Sequence, residues 1–234
     1  MSERRPSPPR KGAKAAPRVW QRMLSGRRLD LLDPSPLDVE ISDIAHGLAR
    51  VARWNGQTRG DFAFSVAQHS LIVEEIVAAR EPDPRWRMAA LLHDGPEYVV
   101  GDMISPFKAI LGGDYKGVEA RLQRAIHIRF GLPSDLPETV TKAIKAADRL
   151  SAHAEAVTLA GFTPDEANTF FGRPKRHRVD PADLAPLPAK DAQARFLERF
   201  AAVDGECLKA ARRASETIPN QGALAETDLR AQEG

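Results

Sequence analysis

Two imidazoles and two carboxylates stand at three places in this chain: a lone His69, the pair His93-Asp94, and a lone Asp148. The pair ends an apolar run, Met88-Ala89-Ala90-Leu91-Leu92. His69 lies in Ser65-Val66-Ala67-Gln68-His69-Ser70, and Asp148 in Ala146-Ala147-Asp148-Arg149-Leu150. Such groups are costly to bury among apolar neighbours unless something pairs them, and one divalent metal satisfies all four. Each piece alone has a plainer reading. His69 could be a hydrogen-bonded core histidine, Asp94 a cap before Gly95-Pro96, and Asp148 half of an ion pair. The four together in this order argue for a metal.

That chemistry makes demands on the elements. Adjacent residues on a helix point about 100° apart, so one metal can take both His93 and Asp94 only against the flank between them. The other ligands must come from other helices. His69 shares a stripe with Val66, Ile72 and Val73, and Asp148 follows Ile144 by four. If the helix bearing the pair continues, Glu97 falls on their face and could orient or deprotonate a water. Helical periodicity dominates the chain, and no repeat is visible. Helices are predicted over 42–53, 65–80, 85–94, from an Asp114 cap to Phe130, over 137–160, and over about 190–216. Residues 161–188 hold Pro164, Pro174, Pro181, Pro186 and Pro188 and are expected to wrap irregularly. Strand signals are too sparse for a sheet, so the predicted class is all-α.

The motifs extend beyond the four ligands. Arg53-Trp54, the His69 segment, Leu92-His93-Asp94-Gly95-Pro96-Glu97 and Gly101-Asp102-Met103-Ile104-Ser105-Pro106-Phe107-Lys108 resemble the HD superfamily of metal-dependent phosphohydrolases. They are most similar to its bacterial 5'-deoxynucleotidase branch. The resemblance covers roughly residues 40 to 160, and more weakly the helix near 190 to 216. It implies an all-α helical bundle with His69, His93, Asp94 and Asp148 as metal ligands and Glu97 holding the attacking water. It implies that Arg53, Trp54 and Asp102 lie near the phosphate and sugar; Lys108 is a further candidate to reach a phosphate. Gln68 stands where that branch often has Glu, and Gly95-Pro96 replaces small helix-compatible residues. Ile41-Ser42-Asp43-Ile44-Ala45-His46-Gly47-Leu48 is similar to a related group of HD hydrolases.

Composition sets outer bounds. The expected organisation is a basic, Pro-rich arm (1–18), one domain (19–216) and a frayed tail (217–234). A core of roughly 190 residues buries about 70% of its unfolded surface and needs no disulfides. The single Cys207 excludes thiolate metal clusters and fits a reducing cytoplasm. No apolar run approaches the ~18 residues of a membrane span, and the basic N-terminus lacks the apolar stretch of a secretion signal. Residues 1–28 hold nine Lys/Arg and one acid; the remainder carries 25 Lys/Arg and 31 Asp/Glu, a net of −6. The arm is read as a solvated tail rather than a nucleic-acid contact, since no aromatic is interleaved before Trp20.

Other residues carry competing readings. His46 could line the pocket or be structural, and His127 reads as surface or structural. His153 falls off the ligand face, and Arg173-Pro174-Lys175-Arg176-His177-Arg178 reads as a solvated loop. The expected activity is hydrolysis of (deoxy)nucleoside 5'-monophosphates. Other phosphate esters (triphosphates, cyclic nucleotides, alarmones) are the alternative, and a non-catalytic module binding nucleic acid through the arm is the second. Mixed N/O ligation with free positions for water and phosphate favours Mn, Co or Fe over a closed Zn site, with Zn or Mg as further options. Only His127 lies between the pair and Asp148 as an extra histidine, so one metal is expected. The helix bearing Phe196, Leu197, Phe200 and Leu208 could complete the core or pair two copies.

Overall fold

The structure is a computed structural model describing residues 18–104, 113–174 and 179–216. Lys108, the side chain of Asp114, residues 175–178 of the basic run, and most of the arm and all of the tail lie outside the described residues. The fold is all-α, as the periodicity predicts, with eight helices among the described residues. One short element was not expected: strands β1 (Trp20–Arg22) and β2 (Arg28–Asp30) pair antiparallel. Three-residue strands leave too little alternation for a period to register. The turn joining them is tied to the bundle by Asp43, whose carboxylate accepts from the backbone N and Oγ of Ser25.

Helices α1 (Ile41–Leu48), α2 (Val66–Ala78), α3 (Pro84–Leu91), α4 (Glu97–Val100), α5 (Gly113–Arg129), α6 (Glu138–Thr158), α7 (Pro164–Phe171) and α8 (Ala189–Glu216) follow. Their starts are chemically marked. Ser65 caps α2 by accepting from the Gln68 amide. Asp83 caps α3, with Pro84 in the first turn. The α7 helix corrects the expectation of an irregular 161–188. Thr163 and Glu166 form a reciprocal capping box around Pro164. Thr163-Pro164-Asp165-Glu166 carries this helix start in the sequence itself, because a proline in the first turn favours a helix rather than breaking it.

Helix α2 is the axis of the molecule. Ten of its residues are buried, Val66 and Val77 among them, and its apolar positions surround the helix rather than forming one stripe. It packs against α3, α6 and α8, while α8 also covers α1 and α3. Two of its buried polar residues tie it to other parts of the fold. Glu74, fully buried, accepts from Arg87 Nε at 2.8 Å and pairs with Arg199, which joins α2, α3 and α8. Gln68 donates to the Ala185 carbonyl (2.9 Å) and accepts from the Leu187 amide (3.1 Å). Where the nucleotidase branch often has Glu, this amide therefore brackets the Pro-rich connection onto α2.

Two glycines permit close approaches near the pair. A Cβ on Gly47 would stand 2.7 Å from Tyr98 Cβ and 2.9 Å from its carbonyl oxygen, so α4 sits directly on the α1 backbone. A Cβ on Gly95 would stand 2.9 Å from Ile126 Cδ1.

Candidate metal centre

The predicted helix over 85–94 stops short of the pair. Helix α3 ends at Leu91, and His93 and Asp94 occupy a tight turn through Pro96. The Gly95 amide donates to the Leu92 carbonyl (2.9 Å), and the Glu97 amide to the Asp94 carbonyl (3.0 Å), before α4 restarts. Gly95-Pro96 is the physical reason: Pro96 has no amide to continue the ladder, and Gly95 fits under Ile126. Leaving the helix frees both side chains from the 100° constraint.

The four predicted ligands converge. His69 Nε2 is 3.5 Å from Asp94 Oδ2 and 3.2 Å from Asp148 Oδ1, and His93 Nε2 is 3.3 Å from Asp94 Oδ2. The ligand atoms of His69, His93 and Asp148 lie within 4.8 Å of one another and form a group able to hold a metal ion. His69 comes from the buried axis helix α2, Asp148 from α6, and the pair from the turn after α3.

Hydrogen bonds on the far side of each ring set which nitrogen faces the centre. His93 Nδ1 donates to the Ala90 carbonyl at 2.8 Å, and His69 Nδ1 donates to Glu155 Oε1 at 2.6 Å. Both Nε2 atoms are buried without a hydrogen-bond partner. Two orphaned imidazole nitrogens facing two carboxylates are costly by themselves and fit a divalent cation. Burial and the Arg53 charge push His69 down, yet Glu155 and Asp148 outweigh them and raise it to about 10. Burial would raise the Asp94 carboxyl, but His93, His69 and Arg53 hold it below the usual carboxylate range. A cation arriving here must displace a proton, as metal sites generally require.

Glu155 was missed by the sequence reading. It lies fully buried on α6, seven residues beyond Asp148, and receives four donors. His69 Nδ1 and Ser151 Oγ (2.8 Å) reach Oε1, while Arg53 Nε (3.2 Å) and Trp54 Nε1 (2.9 Å) reach Oε2. Burial opposes its charge, but Arg53 and His69 keep it ionised below the ordinary range. Its one sequence signal is spacing: seven residues is two turns, the same face as Asp148.

Arg53 and Trp54 meet at this carboxylate rather than on an open wall. Two consecutive side chains reaching one oxygen require a sharp turn, and Trp54 (φ 57°) and Asn55 (φ 51°) take the left-handed conformation. Asp102 accepts from Arg53 Nη1 at 3.1 Å, so one guanidinium is shared by two carboxylates. Trp54 packs on Phe162 and Phe171 at ring distances of 5.6 and 5.7 Å. Glu97 is buried in the first turn of α4. His153 Nε2 reaches Asn168 Oδ1 (3.1 Å), and His127, read as surface or structural, is buried.

The centre opens on a cleft of about 450 Å3 between α5, α6 and the turn, with His93, Asp94 and Asp148 in its wall. None of Arg53, Trp54, Asp102 and Glu97 lines it. Among the described residues no helix is long and apolar enough to cross a membrane.

No family model matches the chain. It is 57% identical over 184 residues to an uncharacterized protein of Rhodobacter capsulatus, an alignment spanning 78% of this chain and 94% of that protein. At that identity and coverage, the chain belongs to the same family as the Rhodobacter protein.

Proposed function

We propose that the protein is a metal-dependent phosphomonoesterase that converts (deoxy)nucleoside 5'-monophosphates to nucleoside and phosphate. The observation that carries this reading is the pair of buried, partnerless Nε2 atoms facing Asp94 and Asp148 at the wall of an open cleft. The motif resemblance supplies the reaction class.

His69, His93, Asp94 and Asp148 would hold one divalent cation, with Mn, Co or Fe favoured by the mixed N/O donors. When bound, such a cation polarises phosphoryl oxygens and lowers the pKa of water toward ~7. The remaining tasks fall to side chains of the chain. Glu155 and the Ala90 carbonyl hold both imidazoles with Nε2 forward. A carboxylate oxygen of Glu97 accepts the proton of the attacking water, the role the resemblance implies. Water oxygen bonds to phosphorus, the bond from phosphorus to the 5' oxygen breaks, and that oxygen leaves with a proton as the alcohol. Arg53, Trp54 and Asp102, which the resemblance places near phosphate and sugar, here act first as props: Arg53 and Trp54 bind Glu155, and Asp102 binds Arg53.

The test is phosphate release from deoxy- and ribonucleoside mono-, di- and triphosphates with Mn, Co, Mg or EDTA, for the wild type and Asp94→Ala. Metal-dependent release from monophosphates, lost in the variant, is expected. Silence on every monophosphate overturns the reading, and pyrophosphate or triphosphate as product moves it to a triphosphohydrolase.

A further inference from the structure

The cleft beside the centre has polar features that the metal site does not use. Gln123, half-buried on α5, spends both amide hydrogens: Nε2 donates to the Leu92 carbonyl (3.0 Å) and to His127 Nε2 (2.7 Å). His127 Nδ1 in turn donates to the Ser134 carbonyl (3.2 Å). Burial pushes His127 below the ordinary imidazole value, in keeping with a neutral ring that accepts at Nε2. The Leu92 carbonyl can only accept, so the amide cannot be flipped without facing oxygen to oxygen. Gln123 Oε1 is therefore held as an acceptor, and no described group donates to it. The bond to the Leu92 carbonyl ties α5 to the residue before His93.

On the opposite wall, Lys145 precedes Asp148 by three residues, which puts both on one face of α6. Lys145 is exposed and pairs with no carboxylate among the described residues. The other cation of the cleft, Arg124, is already held by Asp135 at 3.0 Å. Arg53 is likewise committed to Glu155 and Asp102. Lys145 is thus the uncommitted cation next to a ligand carboxylate in this wall. A volume of about 450 Å3 lies within the range of small-molecule sites.

We propose that this cleft is the substrate berth: Lys145 contacts the phosphate, and Gln123 Oε1 accepts an N–H of the nucleoside base. This rests on the phosphomonoesterase reading and adds specificity residues that the motifs do not contain. A base with an N–H at that point is preferred, because an analogue without it leaves the fixed oxygen unpaired.

The experiment has a binding arm and a turnover arm. Equilibrium dialysis measures deoxynucleoside affinity, and steady-state assays compare deoxynucleoside monophosphates with methyl phosphate, whose leaving group is too small to fill the cleft. The variants are Lys145→Ala and Ala120→Trp, the second placing an indole in the cleft from an exposed position on α5. For Ala120→Trp, nucleoside affinity and the nucleotide-to-methyl-phosphate ratio of kcat/KM should both fall about tenfold or more. For Lys145→Ala, nucleotide KM should rise about five- to tenfold while nucleoside affinity stays at the wild-type value. Wild-type turnover with both quantities within twofold of wild type in Ala120→Trp overturns the berth and leaves the nucleotidase reading standing. Nucleoside binding lost in Ala120→Trp, with no turnover by the wild type on any ester, overturns the hydrolase reading and supports the cleft as a nucleoside site.

Discussion

Glu155→Gln is the most informative single change, because it keeps the shape and alters one atom among four donors. If the new amide nitrogen lies where Oε2 was, it faces Arg53 Nε and Trp54 Nε1, neither of which can accept. If it lies where Oε1 was, it faces Ser151, whose hydroxyl can turn to accept, and His69 Nδ1. The second placement is less costly, and it leaves His69 with Nδ1 as acceptor and its proton on Nε2, the atom aimed at the metal. Loss of such a supporting contact typically weakens metal affinity about 10- to 100-fold, roughly 1.4 to 2.7 kcal/mol. Stability should fall as well, because Arg53 loses one of two buried carboxylate partners. With Asp102 retained, the cost is at the lower end of a broken buried pair, about 3 kcal/mol. The assay is competition for Co or Mn against a chromogenic chelator, with urea denaturation of the same samples. Ser151→Ala is the control: it removes one hydrogen bond to the ionised carboxylate, about 1.5 to 3 kcal/mol, and should change metal affinity less than tenfold. A folded Glu155→Gln protein with metal affinity within twofold of wild type would refute the tautomer argument.

Three further outcomes follow from the packing. Asp94→Ala removes the carboxylate that both imidazole nitrogens face, and the purified protein should lose stoichiometric metal, measured by inductively coupled plasma analysis. Gly47→Ala drives a methyl against Tyr98 backbone and side chain; it should cost about 1 to 3 kcal/mol in urea denaturation and displace the helix bearing Glu97. Glu74→Ala strands Arg87 and Arg199 around a fully buried site. Since Arg87 keeps Glu206, the loss should be about 3 kcal/mol in the same measurement, with no change in metal affinity.

The order of chemically demanding residues in apolar, helix-period segments was enough to nominate His69, His93, Asp94 and Asp148, because burying such groups without a shared partner is costly wherever they fold. The same periodicity gave the all-α class and most helix bounds. It could not see Glu155, whose value lies in bonds to Arg53, Trp54 and His69, about a hundred residues away or nearly so in each case. Nor could it see that Arg53 is shared by two carboxylates, or that Gln68 brackets a distant loop. Local pattern reports which face of an element is buried, not what the buried group will touch. The pair His93-Asp94 shows the division most directly. Residue type marked it as a ligand pair, but a regular helix would splay the two side chains, and only the turn forced by Gly95-Pro96, packed under Ile126 and held by Gln123, brings both to one point.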